Sequence, residues 1–580
     1  MTPPAIVILG TGALATARRI QTLYAGCQVH ALQGRVEADV SYTELGAHLC
    51  DLYTRGTPIV ALCAAGIVIR CVAPLLSNKG AEPPVLAVAE DGSAVVPLLG
   101  GLAGVNVMAR EIAAALAVAP AITTSGELRF GTCVLNPPEG YTLADITQGK
   151  RFVSDLLAGE STRVEGEAPW LDEAQLPRSE SARLAIRVTP HAWDGRDDEL
   201  VIHPRSVVAA VTSTAVTGAG AGAGAGAEIA ARVCEALNSH GLAVLSLAAL
   251  LAPADRIADP ALADAATTLN VPLRFTQTRP EDGEPPANLL HAALRVPYQT
   301  LHDDADAGVA LALAALAIDP ATIGRARGRL TVIGLGPGSA DLMVPAARTA
   351  LNEATDILGY ETYVKMAGPL RADQRVHGTD NREEMQRARH AFELASTGRS
   401  VVMVSSGDPG VFAMAAAVLE ALEEVSPTNP DWRAVQLAIV PGVSAAMATA
   451  AQAGAPLGHD FCMLSLSDNL KPWTIIEKRL RHAAEADLAM AFYNPISRAR
   501  PWQLDKALDI VREYRTAATK VVLGRDIGRP GGTLRTITLG ELRSTDVDMR
   551  TMVIVGSSTT RAFANGVDGG EWVYTPRWYE

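Results

Sequence analysis

Gly334-Leu335-Gly336-Pro337-Gly338 heads a series of motifs that continues with Ser405-Ser406-Gly407-Asp408-Pro409-Gly410, Pro441-Gly442-Val443-Ser444-Ala445 and Tyr493-Asn494-Pro495. The first three each follow an apolar run: Leu330-Thr331-Val332-Ile333, Val401-Val402-Met403-Val404 and Leu437-Ala438-Ile439-Val440. Runs of this length and composition read as buried strands, and Gly/Pro turns end them. A strand, a tight turn and a helix in succession place a ligand pocket at the carboxyl edge of a sheet. Several such edges on one segment predict a small-molecule enzyme site in an α/β domain.

The surrounding chain sets the limits. At 580 residues it is too long for one core, so the fold class reads as multidomain α/β. A formal charge of −13 and the lack of any basic cluster argue against a nucleic-acid surface. The longest apolar stretches, such as Gly308 to Ile318, fall well short of the roughly 20 residues of a membrane span. The seven cysteines form no Cys-x-x-Cys pair, and no metal ligands are assigned. The expectation is a cytoplasmic protein with reduced thiols; Met1-Thr2-Pro3-Pro4 runs straight into a strand without a signal peptide.

Four segments emerge along the chain. Residues 1–127 alternate strands and helices, beginning with Ala5 to Leu9 and the turn Gly10-Thr11-Gly12. Residues 128–200, rich in Pro and acids, read as a linking module. Residues 201–320 form a further α/β module with strands at Val207 to Thr212 and Ala243 to Leu247. Its Gly218-to-Gly226 Gly/Ala tract reads as a mobile loop, since it carries no side chain able to pack a core. Asp319 to Gly328 links to the last segment, 327–580.

The residue types narrow the chemistry. A dinucleotide fingerprint would want glycine where Ser339 stands, and Pro337 removes an N–H that a pyrophosphate cradle would use. At Gly10-Thr11-Gly12 the position after a strand is right, but Leu32-Gln33-Gly34 offers no acid for a ribose. Gly407-Asp408-Pro409 exposes backbone N–H groups and one carboxylate, and is equally the composition of a plain turn. Ser444 can cap the following helix and touch a ligand.

On these motifs the segment 327–580 resembles the tetrapyrrole (class III) S-adenosylmethionine-dependent methyltransferases of cobalamin biosynthesis. The strings from His459 to Trp473, Phe492 to Trp502 and Val555 to Arg561 make it similar to the branch that methylates C17 of precorrin-3B and contracts the ring. A close variant acts on the cobalt-bearing substrate of the oxygen-independent pathway. The resemblance implies a two-lobed α/β homodimer with S-adenosylmethionine in the cleft between lobes. Carried onto this chain, it implies cofactor contacts by Pro337, Gly407, Asp408, Phe412, Ser444 and Ala445, with Tyr493 and Asn494 nearby. Ring contraction calls for an acid and a base; the candidates are His459, Asp468 and Lys471. Asp468 and Lys471 could instead bind the carboxylate arms of the tetrapyrrole, for which the planar forks of Arg525, Arg529 and Arg561 are better suited.

Residues 57–127 resemble the amino-terminal part of the cobalamin-biosynthesis protein family CbiG, through Ala64 to Arg70, Val85 to Asp91, Gly104-Val105-Asn106 and Ile122-Thr123-Thr124. Residues 200–318 are similar to its carboxyl-terminal module, through His203-Pro204-Arg205, Leu269 to Phe275 and a final Ala-rich helix. That family is associated with lactone opening of a cobalt-bearing intermediate. Two reactive positions are replaced here: Gly101 stands where the family has histidine, and Ala209-Ala210-Val211-Thr212 replaces its Gly-x-Gly-Cys. The expectation is a degenerate companion, whether lactone-opening or a tetrapyrrole-binding module.

Overall fold

Ala5-Ile6-Val7-Ile8 shows how the amino-terminal part is built. All four residues are buried. Ile6 and Ile8 enter one core and Ala5 and Val7 another, because side chains alternate along a strand. Helices Leu14–Gln21 and Val105–Leu116 cover the first face, and Leu45–Thr54 and Ala65–Val72 the second. Each fully buried Ile or Leu contributes about 1.5–3 kcal/mol, so the strand is held by its two covers rather than by propensity.

The computed structural model describes residues 3–24, 26–76, 82–212, 224–277, 285–368, 370–371, 373–379, 383–425, 429–497, 500–566 and 570–578. The chain divides into two units, 1–328 and 329–580. The first unit holds three sheets. Strands β1 (Ala5–Ile8), β2 (Gln28–Leu32), β3 (Val40–Tyr42), β4 (Ile59–Leu62), β5 (Val85–Val88) and β6 (Val95–Leu99) lie in the order β3-β2-β1-β4-β5-β6, with β6 antiparallel to β5. Strands β7 (Tyr141–Leu143), β8 (Thr162–Glu165), β9 (Leu184–Val188) and β10 (Glu199–Pro204) form the second, in the order β7-β10-β9-β8. This sheet runs past residue 200. Strands β11 (Val207–Val211), β12 (Leu247–Ala252), β13 (Leu273–Phe275), β14 (Tyr298–Asp304) and β15 (Val309–Ala314) form the third, in the order β13-β12-β11-β15-β14.

Four local expectations change. The Ala-rich helix near residue 310 is the strand β15, paired antiparallel with β11 and β14; so short an apolar run carries no periodicity that separates helix from strand. The strand expected at Ala243 to Leu247 is a 3-10 turn, Val244–Ser246, and β12 begins only at Leu247. Of the Gly/Ala tract, residues 218–223 lie outside the described residues. Helix Ala225–Ser239 already starts within it, and Gly226 permits close packing: a Cβ there would lie 2.5 Å from that of Asp264. Finally, the linker from Asp319 packs on the third sheet, where Ile323 is buried and Arg325 and Phe275 exchange two backbone hydrogen bonds of 2.8 Å.

The second unit has two main sheets. In the first lobe β16 (Arg329–Gly334), β17 (Asp356–Tyr360), β18 (Arg375–Thr379), β19 (Ser400–Ser405) and β20 (Gln436–Val440) are all parallel, in the order β18-β17-β19-β16-β20. The chain leaves β16 on one side to build β17, β18 and β19, and on the other to build β20. That reversal puts a crevice at the carboxyl end of β16. After the short β21 (Gly454–Ala455), the second lobe has β22 (Phe461–Ser465), β23 (Ala489–Tyr493), β24 (Lys520–Arg525), β25 (Thr533–Thr538) and β26 (Thr551–Val555), in the order β22-β23-β26-β24-β25. Because β26 is antiparallel to both neighbours, β22, β23 and β24 end at one edge. Strands β27 (Arg561–Ala564) and β28 (Glu571–Tyr574) join β21 in a small third sheet. Among the described residues no helix is long and apolar enough to cross a membrane.

Three glycines let the loops after β16, β19 and β20 meet backbone to backbone. A Cβ on Gly334 would lie 2.3 Å from the Gly407 carbonyl oxygen, and one on Gly442 only 2.2 Å from the same atom. Gly336 and Gly407, both at φ 71°, also exchange N–H···O bonds of 3.2 and 2.8 Å. Gly442→Ala should therefore destabilise the protein by about 1–3 kcal/mol, because both clashing partners are backbone. Thermal melts of the variant check this; an unshifted midpoint would mean the loops separate freely.

Candidate active site

Asp408 is the fastener of this convergence. Its Oδ1 accepts the Gly410 N–H at 2.8 Å and its Oδ2 the Gly442 N–H at 2.9 Å. One carboxylate thus closes its own turn and ties it to the next loop. Ser444 caps helix Ala445–Ala453, its hydroxyl accepting the Met447 N–H at 3.3 Å. Pro337, Gly407, Asp408, Ser444 and Ala445 accordingly share one edge of the first lobe.

The second lobe reaches this edge through Tyr493, at the end of β23. Its hydroxyl accepts the Ala446 N–H at 3.2 Å, and its ring lies 5.2 Å from that of Phe412. Phe412 is half exposed and holds φ 53°, a left-handed conformation that costs a non-glycine residue about 1–3 kcal/mol. The ring thus combines a strained backbone, partial exposure and contact with Tyr493 at the loop convergence. Asn494 is also left-handed, at φ 49°, and donates from Nδ2 to the Ser465 hydroxyl at 3.1 Å. Ser465, buried at the end of β22, lies inside the His459-to-Trp473 string but was not singled out within it.

The three acid–base candidates separate. Asp468 lies in the loop after β22, at the cleft edge, but its Oδ1 pairs with Arg500 Nε at 2.7 Å and accepts from Gln503 at 3.0 Å. Lys471, in the same loop, has its pKa lowered, chiefly by burial and then by Arg479. His459 precedes β22, so it stands at the opposite edge of the sheet. The five residues of β22, at about 3.3 Å each, set it apart from the Ser465 end. Its Nδ1 accepts the Asp460 N–H at 2.8 Å, and geometry withdraws it from the cleft.

Two of the three arginines have internal partners. Arg525 donates from Nε to Asp548 at 2.9 Å and from Nη1 to Asp526 at 3.1 Å. Arg529 donates from Nε to the Pro337 carbonyl at 3.0 Å. Arg561 is exposed at the start of β27, outside this edge.

In the first unit, Gly100 and Gly104 are left-handed at φ 83° and 94° and flank Gly101, with open space where a side chain would project. Asn106, just beyond, is buried and donates to Glu127 at 2.6 Å and Thr124 at 3.0 Å. The loop is formed, with glycine at position 101. Ala209, Ala210 and Val211 are fully buried in β11, where they serve the core.

Asp408→Ala should lower both stability and S-adenosylmethionine affinity by about 1–3 kcal/mol, because the Gly442 N–H loses a charged acceptor. Calorimetric titration checks this, and unchanged affinity in a folded variant would reduce Asp408 to a turn former.

Comparison with known proteins follows the same division. The family model for Tetrapyrrole (Corrin/Porphyrin) Methylases matches residues 329–543, and that for Cobalamin synthesis G N-terminal matches 47–127. A precorrin-3B C(17)-methyltransferase of Sinorhizobium sp is 50% identical over 253 residues, 43% of this chain and 97% of that protein. A probable cobalt-factor III C(17)-methyltransferase of Salmonella typhimurium is 42% identical over 231 residues, 40% of this chain and 93% of its own. The crystal structure of the methyltransferase CobJ covers 43% of this chain and 100% of that one, at 50% identity and a TM-score of 0.40. Through residues 329–580 the chain belongs to the tetrapyrrole (corrin/porphyrin) methylase family, and it carries a cobalamin-synthesis G amino-terminal region ahead of that unit.

Proposed function

We propose that residues 327–580 transfer the sulfonium methyl of S-adenosylmethionine to C17 of precorrin-3B and contract its ring, a step of cobalamin biosynthesis. The observation that carries this reading is the fastening of three glycine loops at one sheet edge, faced by Phe412 and Tyr493. Methyl transfer is an in-line displacement that needs alignment and a dry cleft more than a strong base. Glycine loops let a ligand lie against backbone, with Pro337, Gly407, Asp408, Ser444 and Ala445 as its floor. The aromatic faces of Phe412 and Tyr493 suit a sulfonium cation, and Asn494 orients the rim. For ring contraction, burial makes Lys471 the readier proton donor and acceptor. The Asp468–Arg500 pair supplies fixed charge beside it.

The first unit is read as a CbiG-like amino-terminal domain 1–127, a linking module 128–200 and a degenerate CbiG-like carboxyl-terminal module 201–320. Gly101 in an otherwise intact loop favours a tetrapyrrole-holding role over lactone opening. The protein is inferred to work in the cytoplasm as a homodimer through the methyltransferase unit. Exposed Phe563 and Trp572 beside a cleft of about 460 Å³ support that contact, and sedimentation of a monomer at micromolar concentration would refute it. Incubating the full chain and residues 327–580 with precorrin-3B and with its cobalt-bearing counterpart tests the rest. The metal-free substrate should turn over, faster or with tighter product retention in the full chain. Turnover of the cobalt form alone would transfer the protein to the oxygen-independent reaction.

A further inference from the structure

We infer that Asp526 is a positioning residue that, through Arg529, holds the two lobes of the methyltransferase unit at the spacing the cofactor cleft requires. The inference rests on the reading that this cleft binds S-adenosylmethionine.

Asp526 follows β24, at the edge where β22 and β23 also end. It is buried and left-handed at φ 51°. Three guanidinium groups converge on its carboxylate. Arg550 donates from Nε to Oδ1 at 2.7 Å and closes a second contact from Nη2 to Oδ2. Arg525 donates to Oδ2 at 3.1 Å, and Arg529 Nη1 stands 3.8 Å from Oδ1. Backbone bonds fix the same loop: the Asp526 N–H donates to the Arg550 carbonyl at 3.1 Å, and the Arg529 N–H to the Asp526 carbonyl at 2.9 Å.

Arg529 then leaves the second lobe. Its Nε donates to the Pro337 carbonyl, 192 residues away in the first-lobe loop. The two backbones make room for it. Gly338 holds φ 144°, and a Cβ there would lie 2.5 Å from Arg529 Cγ; a Cβ on Gly528, at φ 79°, would lie 2.7 Å from Pro337 Cγ. The last glycine of the first motif is therefore explained by an arginine lying flat across it, not by a phosphate. Tyr363, on helix Glu361–Ala367 of the first lobe, adds a wall: Arg529 opposes the upward push that burial exerts on its pKa.

A buried ionic cluster is weak evidence for stability, since well-packed apolar residues would often serve as well. What it supplies is direction. With Asp526 beside it, the Arg529 fork gives its Nε–H across the cleft to the Pro337 carbonyl, in the loop that floors the cofactor site.

The test measures S-adenosylmethionine affinity and steady-state constants for Asp526→Asn, Arg529→Lys and the double variant. Each single change should raise the cofactor Kd and KM by about 10-fold, the worth of one charged hydrogen bond, with kcat and the tetrapyrrole KM little altered. The double variant should be no worse than either single one, because both remove the same strut. A purely structural role would instead lower the melting midpoint without the KM split. If wild-type protein fails to bind S-adenosylmethionine, the functional reading falls. If it binds and the variants match it, or their effects add, the strut falls alone. Should Asp526→Asn not fold, Arg529→Lys decides: it keeps the charge but has no Nε–H to give Pro337, and unchanged affinity overturns the inference.

Discussion

The contact on which the methyltransferase unit depends is the crossing of Gly334, Gly407 and Gly442. Three strands of a parallel sheet end at one point, and their loops pass within van der Waals distance of one another's backbone. No side chain fits there. Everything the site contains is placed by that crossing. Asp408 can bridge two loops because they already touch, Ser444 begins a helix that starts at the crossing, and Pro337 is carried out over the cleft. The switch in strand order at β16 creates the crevice, and the glycines allow it to be narrow.

The second lobe is attached to this point by groups of different chemistry. Helix Ala445–Ala453 starts at the crossing and packs on the second-lobe sheet, where Tyr493 accepts its Ala446 N–H; the Tyr493 ring then reaches Phe412. Arg529 joins by a hydrogen bond to the Pro337 carbonyl. Apart from that helix, the two lobes keep separate hydrophobic cores.

Much of the edge was legible in the sequence because strand-turn-helix punctuation is local. The runs before Gly334, Ser405 and Pro441 announce their own strands, and the glycines their own turns. Roles fixed by distant partners were not legible. Asp468 read as free because Arg500 and Gln503 meet it only through the fold, and Arg525 and Arg529 read as substrate forks because their buried partner Asp526 follows a strand without any motif. His459 stood within a family-specific string, yet strand direction carries it to the far edge. The segment Val309–Ala314 misled for another reason: alanine is at home in helices, and only pairing with β11 and β14 makes this run a strand.

The first unit gives a second case of glycines shaping a loop. Its loop at Gly100–Gly104 has two left-handed glycines beside the buried Asn106, with open space at Gly101 between them. The second unit carries the central claim, that the cofactor lies on the glycine crossing. Amide hydrogen exchange with and without S-adenosylmethionine tests it most directly. The account predicts new protection concentrated in residues 334–338, 405–412, 441–446 and 493–494. Protection centred on the Gly10-Thr11-Gly12 turn of the first unit, or none at the crossing despite binding, would contradict it.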